Sequence, residues 1–381
     1  MPRIGLNAHL LSSHDTYRSA GVSRYIAKLL AHLPYVDPGN EYVAFVPDGR
    51  LCAPPWRAAV SPWATTSPPA RIAWEQVCQP LAARRQRLDL LHAPVNVGPM
   101  IVACPLVVTV HDLSFVRYPQ MFTRAKRMYL QQFTRWTLAR AQAVIADSAS
   151  TRRDLIELLG APEERVVVVH AGIDEELAPA TDEEALEAFR QRHDLPREMI
   201  LFLGTLEPRK NIPTLIEAYG QLYRAGRIAH TLVIAGGKGW LYDEVYATVE
   251  RLGLQDAVRF TGYVAAEELP LWYSAADLFC YPSFYEGFGL PPLEAMACGT
   301  PVITSNVSSL PEVVGDAGLL VDPHDAQALA QAIEQVLGDH ALHERLRHAG
   351  LERAASFSWR ACAEGTSAAY HRVLSQGAAH A

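Results

Sequence analysis

What most constrains this chain is a rhythm. Short apolar, β-branched runs alternate with longer amphipathic stretches from one end to the other. In the first half the strand-like runs are 3–7, 42–46, 106–110, 143–146 and 166–170, with helical patterns near 21–33, 122–140 and 149–159. In the second half they are 199–203, 231–235, 258–261, 277–281, 301–304 and 318–321, with helical patterns near 211–225, 240–252, 324–337 and 340–354. Strands that alternate with helices form a parallel sheet covered by helices on both faces. The fold class is therefore α/β. At 381 residues the chain is too long for one simple core. Two Rossmann-like doubly wound domains are expected, with a hinge in the polar stretch 172–198.

The chemistry concentrates in residues 281–301. An apolar strand ends at Tyr281, a loop carries Glu286, Gly287, Phe288 and Gly289, and Pro291 and Pro292 open a helix that stops near Gly299. Proline suits a first helical turn, and glycine the position just past the last one. A helix N-terminus beyond a strand end carries unpaired N–H groups and partial positive charge, an anion site most often filled by phosphate. Gly287 and Gly289 clear side chains from that approach. Glu286 and Glu294 flank it. A carboxylate is a poor phosphate ligand but accepts hydrogen bonds from sugar hydroxyls. A phosphate between two sugars describes a nucleotide sugar.

Glu286 and Glu294, with seven residues between them and Gly-Phe-Gly-Leu-Pro inside, resemble the E-x7-E signature of retaining glycosyltransferases of GT-B fold. That resemblance implies two Rossmann-like domains facing a central cleft. These would be 1–178 on the acceptor side and 179–357 for the nucleotide sugar, with a final helix (about 358–381) crossing back to the first. Gly204-Thr205-Leu206-Glu207-Pro208-Arg209-Lys210-Asn211, after a strand, resembles the family's phosphate-gripping segment. Arginine grips phosphate with paired donors and lysine adds a compact charge. Read without the family, Arg209 and Lys210 could be a solvated pair before a helix that Asn211 caps.

Ala20-Gly21-Val22-Ser23-Arg24-Tyr25 resembles the family's Gly-Ile-Gly-Arg-Tyr segment, with Ser23 in place of the second glycine, so only Gly21 carries over to the diphosphate. Val110-His111-Asp112-Leu113-Ser114-Phe115 matches the position whose histidine contacts the donor sugar. An exposed histidine at a strand end is a site candidate, a buried one is structural, and Asp112 is a site residue or a loop cap. Ser148 reads as a helix cap. Gly262-Tyr263-Val264 resembles the base-contacting part, with Val264 the residue carried over. The resemblance thus implies His111, Arg209, Lys210 and Glu286 as catalytic. It implies Gly21, Gly204, Val264, Gly287, Phe288, Gly289, Leu290 and Glu294 as donor-binding.

Some classes are excluded or disfavoured. There is no P-loop, and Ala235-Gly236-Gly237-Lys238-Gly239 lacks the spacing of a dinucleotide fingerprint. No D-x-D motif suggests a metal-bound donor, so no cofactor is expected beyond the nucleotide-diphosphate sugar itself. Six cysteines form no C-x-x-C pair. No nucleic-acid signal appears. No apolar run is long enough to span a bilayer, and the first residues read as a strand, so a cytoplasmic protein is expected.

Residues 1–180 carry a balance of +4 and residues 181–381 one of −11. Such asymmetry can mark a half that meets an anionic surface. Helix 122–140, with Arg124, Lys126, Arg127, Arg135 and Arg140 among aromatics, is the candidate contact with the inner face of the cell membrane. The whole pattern most resembles bacterial mannosyltransferases of lipopolysaccharide and polysaccharide assembly. It implies GDP-mannose or a UDP-hexose as donor and a glycan or lipid-linked saccharide as acceptor. A nucleotide-sugar 2-epimerase and a non-catalytic sugar-nucleotide-binding protein remain open.

Overall fold

The computed structural model describes residues 1–11, 20–63, 65 and 67–378. The chain forms two compact units, Met1–Gly172 with Ser358–Ala381, and Ile173–Phe357. Residues 173–178, read from sequence as part of the first domain, sit with the second unit. The Ile173 amide donates to the Phe357 carbonyl at 3.2 Å, closing that unit where the chain enters and leaves it.

The first unit is a seven-stranded parallel sheet of β1 (Arg3–Asn7), β2 (Glu41–Val46), β3 (Arg57–Val60), β4 (Leu90–Ala93), β5 (Leu106–Val110), β6 (Ala143–Ala146) and β7 (Val166–Val168), in the order β3-β2-β1-β4-β5-β6-β7. Ile4 pairs with Tyr42 on one side and Leu90 on the other, so chain order reverses at β1. The alternation in sequence did not reveal β3 or β4. β3 is an edge strand, mostly exposed, without an apolar face. β4 is four buried residues, one of them a histidine, too short to show a period. β7 stops at Val168, short of the expected His170.

The second unit is a six-stranded parallel sheet of β8 (Met199–Leu203), β9 (Thr231–Ala235), β10 (Val258–Gly262), β11 (Leu278–Tyr281), β12 (Val302–Ser305) and β13 (Leu319–Val321), in the order β10-β9-β8-β11-β12-β13. Its reversal lies at β8, between β9 and β11. In open α/β sheets ligands bind beyond the C-terminal strand ends at such a reversal. The central strands of both sheets are buried on both faces, as parallel strands covered by helices are. β5 and β11 have every residue buried.

The last helix, Trp359–Ala378, packs in the first unit through polar as well as apolar contacts. Tyr370 Oη lies 2.7 Å from Nδ1 of buried His92, and Ser367 Oγ donates to Asp37 at 2.6 Å. His92 Nε2 lies 2.8 Å from Thr109 Oγ1. Burial and the neighbouring His111 hold the His92 pKa down to about 3, so this ring is neutral and structural. Cys280 and Cys298 are buried free thiols.

Candidate active site

In the second unit, the loop after β8 and the loop after β11 meet at the reversal point. A tight turn, Pro208–Lys210, turns two cations toward the second loop. Arg209 donates through its terminal nitrogens to the Tyr285 carbonyl and to Glu286 Oε2, both at 2.7 Å, and to Glu207 Oε1 at 2.8 Å. Lys210 Nζ donates to Glu286 Oε1 at 2.7 Å and to the Tyr281 hydroxyl. Lys210 is 8 % exposed, Glu286 7 % and Glu207 5 %. A buried lysine and a half-buried arginine thus face two buried carboxylates, and the cluster is close to neutral.

Burial works against the Glu286 charge, but Arg209 and Lys210 outweigh it and hold its pKa down to about 2. Lys210 shifts down, through burial first and the Arg209 charge second. The Tyr281 phenol is pushed up by burial and by Glu286. Four residues predicted or adjacent to prediction are thereby in direct contact: Arg209, Lys210, Glu286 and the unpredicted Glu207. Gly204 closes β8 just before them, its amide bonded to the Ala235 carbonyl. Gly236 packs so closely on the Gly204 carbonyl, at a φ of +145°, that no side chain fits there.

Asn211 stands at the N-cap of the helix Ile212–Arg224, as expected, but its side chain makes no capping bond. It adopts a left-handed conformation, and its amide nitrogen ties two loops together by donating to the Pro282 and Pro323 carbonyls at 3.0 and 2.7 Å. Its oxygen accepts from the Thr214 hydroxyl, not from a helix amide. The conformation follows from the turn that precedes it, which Asn tolerates better than most residues.

The second loop is buried through Glu286, Gly287, Phe288 and Gly289. It is anchored by Ser308, which accepts the Glu286 amide at 3.0 Å, and by Ser309, which donates to the Glu286 and Phe288 carbonyls. Gly289, at φ +113°, stands at the N-terminus of the helix Leu290–Ala297. The two prolines that start this helix also remove two of its first amide donors, leaving those of Leu290 and Leu293. Its anion-binding capacity is therefore smaller than a generic N-terminus offers. One turn on, Glu294 is 4 % exposed and accepts from the Tyr273 hydroxyl at 2.7 Å. Rings of Tyr273, Phe279, Tyr281 and Phe202 lie in series at centroid spacings of 5.4, 5.7 and 5.7 Å, joining the partners of Glu294 and Lys210 through β11. Val264 lies half-buried just past β10, beside the exposed Gly262 and Tyr263.

The first unit holds the remaining predicted residues. Gly21 is exposed in the first turn of the helix Ala20–Val36, and a side chain there would meet nothing within 4 Å. The loop that precedes it lies outside the described residues. His111, directly after β5, is mostly buried rather than exposed, with 18 % of its side chain accessible. Its Nδ1 lies 2.6 Å from Asp147 Oδ2 and its Nε2 2.8 Å from the Pro94 carbonyl.

Both partners are oxygen acceptors, an arrangement that favours the protonated ring. Burial opposes that charge; Asp147, the Pro94 carbonyl and Asp112 overcome it and raise the pKa. Asp112 itself caps a turn, accepting from the Ser114 amide and hydroxyl at 2.8 and 2.6 Å. Ser148 caps the helix Ala149–Leu159 through the Thr151 amide.

Glu207 and Asp147 were the functional neighbours the sequence reading passed over. Each stands next to a residue that was singled out, Glu207 inside the phosphate-type segment and Asp147 before the Ser148 cap. In the helix Arg124–Arg140, Arg124, Lys126, Met128, Arg135 and Trp136 are exposed, whereas Thr134, Thr137 and Leu138 are buried. Among the described residues, no helix is long and apolar enough to cross a membrane.

Comparison with known proteins matches residues 184–353 to the family model "Glycosyl transferases group 1" and residues 19–177 to "Glycosyltransferase Family 4". O-antigen chain mannosyltransferase B of Escherichia coli is 39 % identical over 264 residues, 69 % of this chain and 69 % of that protein. The serotype-specific mannosyltransferase WbdA of Escherichia coli is 36 % identical over 223 residues, 58 % of this chain but only 27 % of that longer protein. Among solved structures, HepE of Anabaena in complex with UDP and glucose superposes with a TM-score of 0.76 at 20 % identity, covering 98 % of this chain and 100 % of that one.

Proposed function

The chain belongs to the group 1, family 4 glycosyltransferases and has the GT-B fold; on that premise we propose that it transfers mannose from GDP-mannose to a growing glycan, with retention and without a metal. The observation that carries this reading is the Arg209–Lys210–Glu286 cluster at the sheet reversal, beside Glu294 and a glycine-lined loop.

The bond between the sugar's anomeric carbon and the diphosphate oxygen breaks, and the electron pair leaves with the diphosphate. Arg209 and Lys210 stabilise that growing charge, helped by backbone amides near Phe288–Leu290. One preorganised donor of this kind is worth about 100- to 1,000-fold in rate. Glu286 has lone pairs beyond those used by the two cations and accepts donor-sugar hydroxyls. Glu294, held by Tyr273, takes the ribose. His111 orients the donor sugar. The acceptor hydroxyl attacks on the face the diphosphate leaves, and its proton passes to a diphosphate oxygen, so no protein nucleophile is needed. The similarity to mannosyltransferases of O-antigen synthesis supports mannose and polysaccharide assembly. The exposed basic and aromatic face of the helix Arg124–Arg140 supports contact with the inner face of an anionic membrane, tested by sedimentation with phosphatidylglycerol vesicles at low salt; absence of binding rejects it.

The deciding experiment presents GDP-mannose and UDP-glucose in turn, with EDTA, to the purified protein and a mannosyl-oligosaccharide acceptor. NMR then reads the anomeric configuration of the product. An α-mannoside from GDP-mannose is expected. An inverted linkage, or turnover that EDTA abolishes, rejects the mechanism. Conversion of the donor without acceptor marks an epimerase, and binding without turnover a non-catalytic protein. Arg209→Ala and Lys210→Ala should each lower kcat at least 100-fold; near-normal turnover in both removes their assignment.

A further inference from the structure

The loop after β11 is held from one more side, at the point where the chain leaves the second unit. Gly287 and Gly289 let a ligand approach the backbone, and for the same reason they do little to fix its shape. Gly289 stands at φ +113°, and a side chain there would come within 2.9 Å of Leu310. Of residues 287–289 only Phe288 has a side chain to anchor. That ring is buried and meets the ring of Phe357 edge to face, at a centroid distance of 5.8 Å and an angle of 68°. The charge distribution of aromatic rings favours this geometry.

Phe357 is fixed in turn. The guanidinium of Arg353, from the helix His340–Ala355, lies over its ring at 4.9 Å from the centroid. The same guanidinium donates to the Val313 carbonyl at 2.9 Å and to the Glu312 carbonyl at 2.5 Å. Those carbonyls lie in the last turn of the short helix Leu310–Val314, where intrahelical donors run out. Ser309, just before that helix, donates to the Phe288 and Glu286 carbonyls.

The contacts close a circuit. It runs from the Phe288 ring to Phe357, to Arg353, to the end of the helix Leu310–Val314, and from the start of that helix back to the Phe288 carbonyl. One residue of a glycine-flanked loop is thus gripped by side chain and by backbone, and both grips meet at Arg353. An aliphatic residue at 357 would fill the core equally well. It would offer neither a face to the guanidinium nor a ring to Phe288.

We propose that Phe357 and Arg353 are positioning residues of the donor site. They set the Phe288 ring, and through it the backbone amides of Phe288–Leu290 assigned above to the departing diphosphate. The effect on turnover rests on the transferase reading; the clamp on the loop does not.

The test uses the whole protein and four variants. Phe357→Leu keeps an apolar side chain and removes the ring. Arg353→Lys keeps a cation and removes the planar grip on two carbonyls, and it carries the test if Phe357→Leu does not fold. Phe288→Leu and the Phe288→Leu/Phe357→Leu double variant complete a cycle. Hydrogen exchange read by mass spectrometry follows residues 284–290 without nucleotide, and steady-state kinetics with GDP-mannose give kcat and donor KM. In Phe357→Leu and Arg353→Lys we expect loop exchange to quicken about ten-fold, the upper end of what one such ring pair contributes, with β8 and β9 unchanged. The kcat of folded protein should fall by a similar factor while donor KM stays within about two-fold, because the amides act on charge that develops only in the transition state. The double variant should be no slower than Phe288→Leu alone. A merely structural role predicts a lower Tm with loop exchange and kcat as in the wild type, and that result overturns the proposal. So does faster loop exchange with unchanged kcat, or a double variant whose loss is the product of the two single losses. Faster loop exchange in the variants, with no nucleotide sugar turned over by the wild type, rejects the transferase reading and leaves the clamp standing.

Discussion

Glu286→Gln removes one charge from a buried cluster and changes little else. Both oxygens of Glu286 sit 2.7 Å from a cation, Arg209 on one side and Lys210 on the other. Against an ordinary value of 4.5, its pKa lies at about 2. That gap corresponds to about 3 kcal/mol of preference for the charged form in the folded state. The sign follows from its direction. A carboxylate whose pKa is depressed by folding stabilises the fold fully above about 4.5, and that share is lost as pH falls toward 2.

Breaking a buried ion pair by removing one partner typically costs about 3–5 kcal/mol, and glutamine can still accept one bond, so about 3 is expected. At about 2–4 °C per kcal/mol for a domain of this size, the transition of the second unit should drop by about 6–12 °C at pH 7. Scanning calorimetry with and without GDP measures it. A diphosphate restores the missing negative charge, so GDP should raise the variant's Tm more than the wild type's. The gap between the two proteins should shrink from pH 5 to pH 3. A Tm within one degree of wild type at pH 7, or a gap that widens on acidification, refutes the reasoning.

Three further outcomes are expected. Asp147→Asn removes the carboxylate that outweighs burial at His111, so its titration, followed by ring ¹⁵N shifts, should move below the ordinary 6.5; the stability it contributes in the wild type, full below 6.5 and lost as pH rises through the raised value, should disappear, and an unmoved titration rejects the role. Tyr273→Phe strips the donor from Glu294 and should cost about 1–3 kcal/mol in urea unfolding, with a raised donor KM; loss of neither contradicts it. Gly236→Ala puts a methyl into the Gly204 carbonyl at a φ that L-residues rarely adopt, and should lower the Tm of the second unit by several degrees or prevent folding; an unchanged Tm would show the two loops to be more loosely joined than described.

Much of the architecture could be read without coordinates because its causes are local. Period and length located eleven of the thirteen strands among the described residues. Pro291 and Gly299 bracket their helix because missing donors and left-handed backbone act within one turn. The two strands that escaped lacked a local signal: an exposed edge for β3, four residues for β4. The role of Asn211 escaped because its partners, Pro282 and Pro323, come from distant loops.

The sequence by itself determined an α/β chain with two parallel sheets, and it marked Arg209, Lys210, Glu286 and Glu294 as one set. Only the folded chain decided how those charges are shared. Arg209 and Lys210 reach Glu286 across more than seventy residues because β8 and β11 are neighbours, an adjacency set by strand order and invisible to any local pattern. It likewise decided that the His111 pKa is raised in spite of burial, since Pro94 and Asp147 arrive from the ends of the strands on either side, β4 and β6. Protonation depends on which acceptors stand within hydrogen-bond reach, and for this ring that is a property of the sheet order.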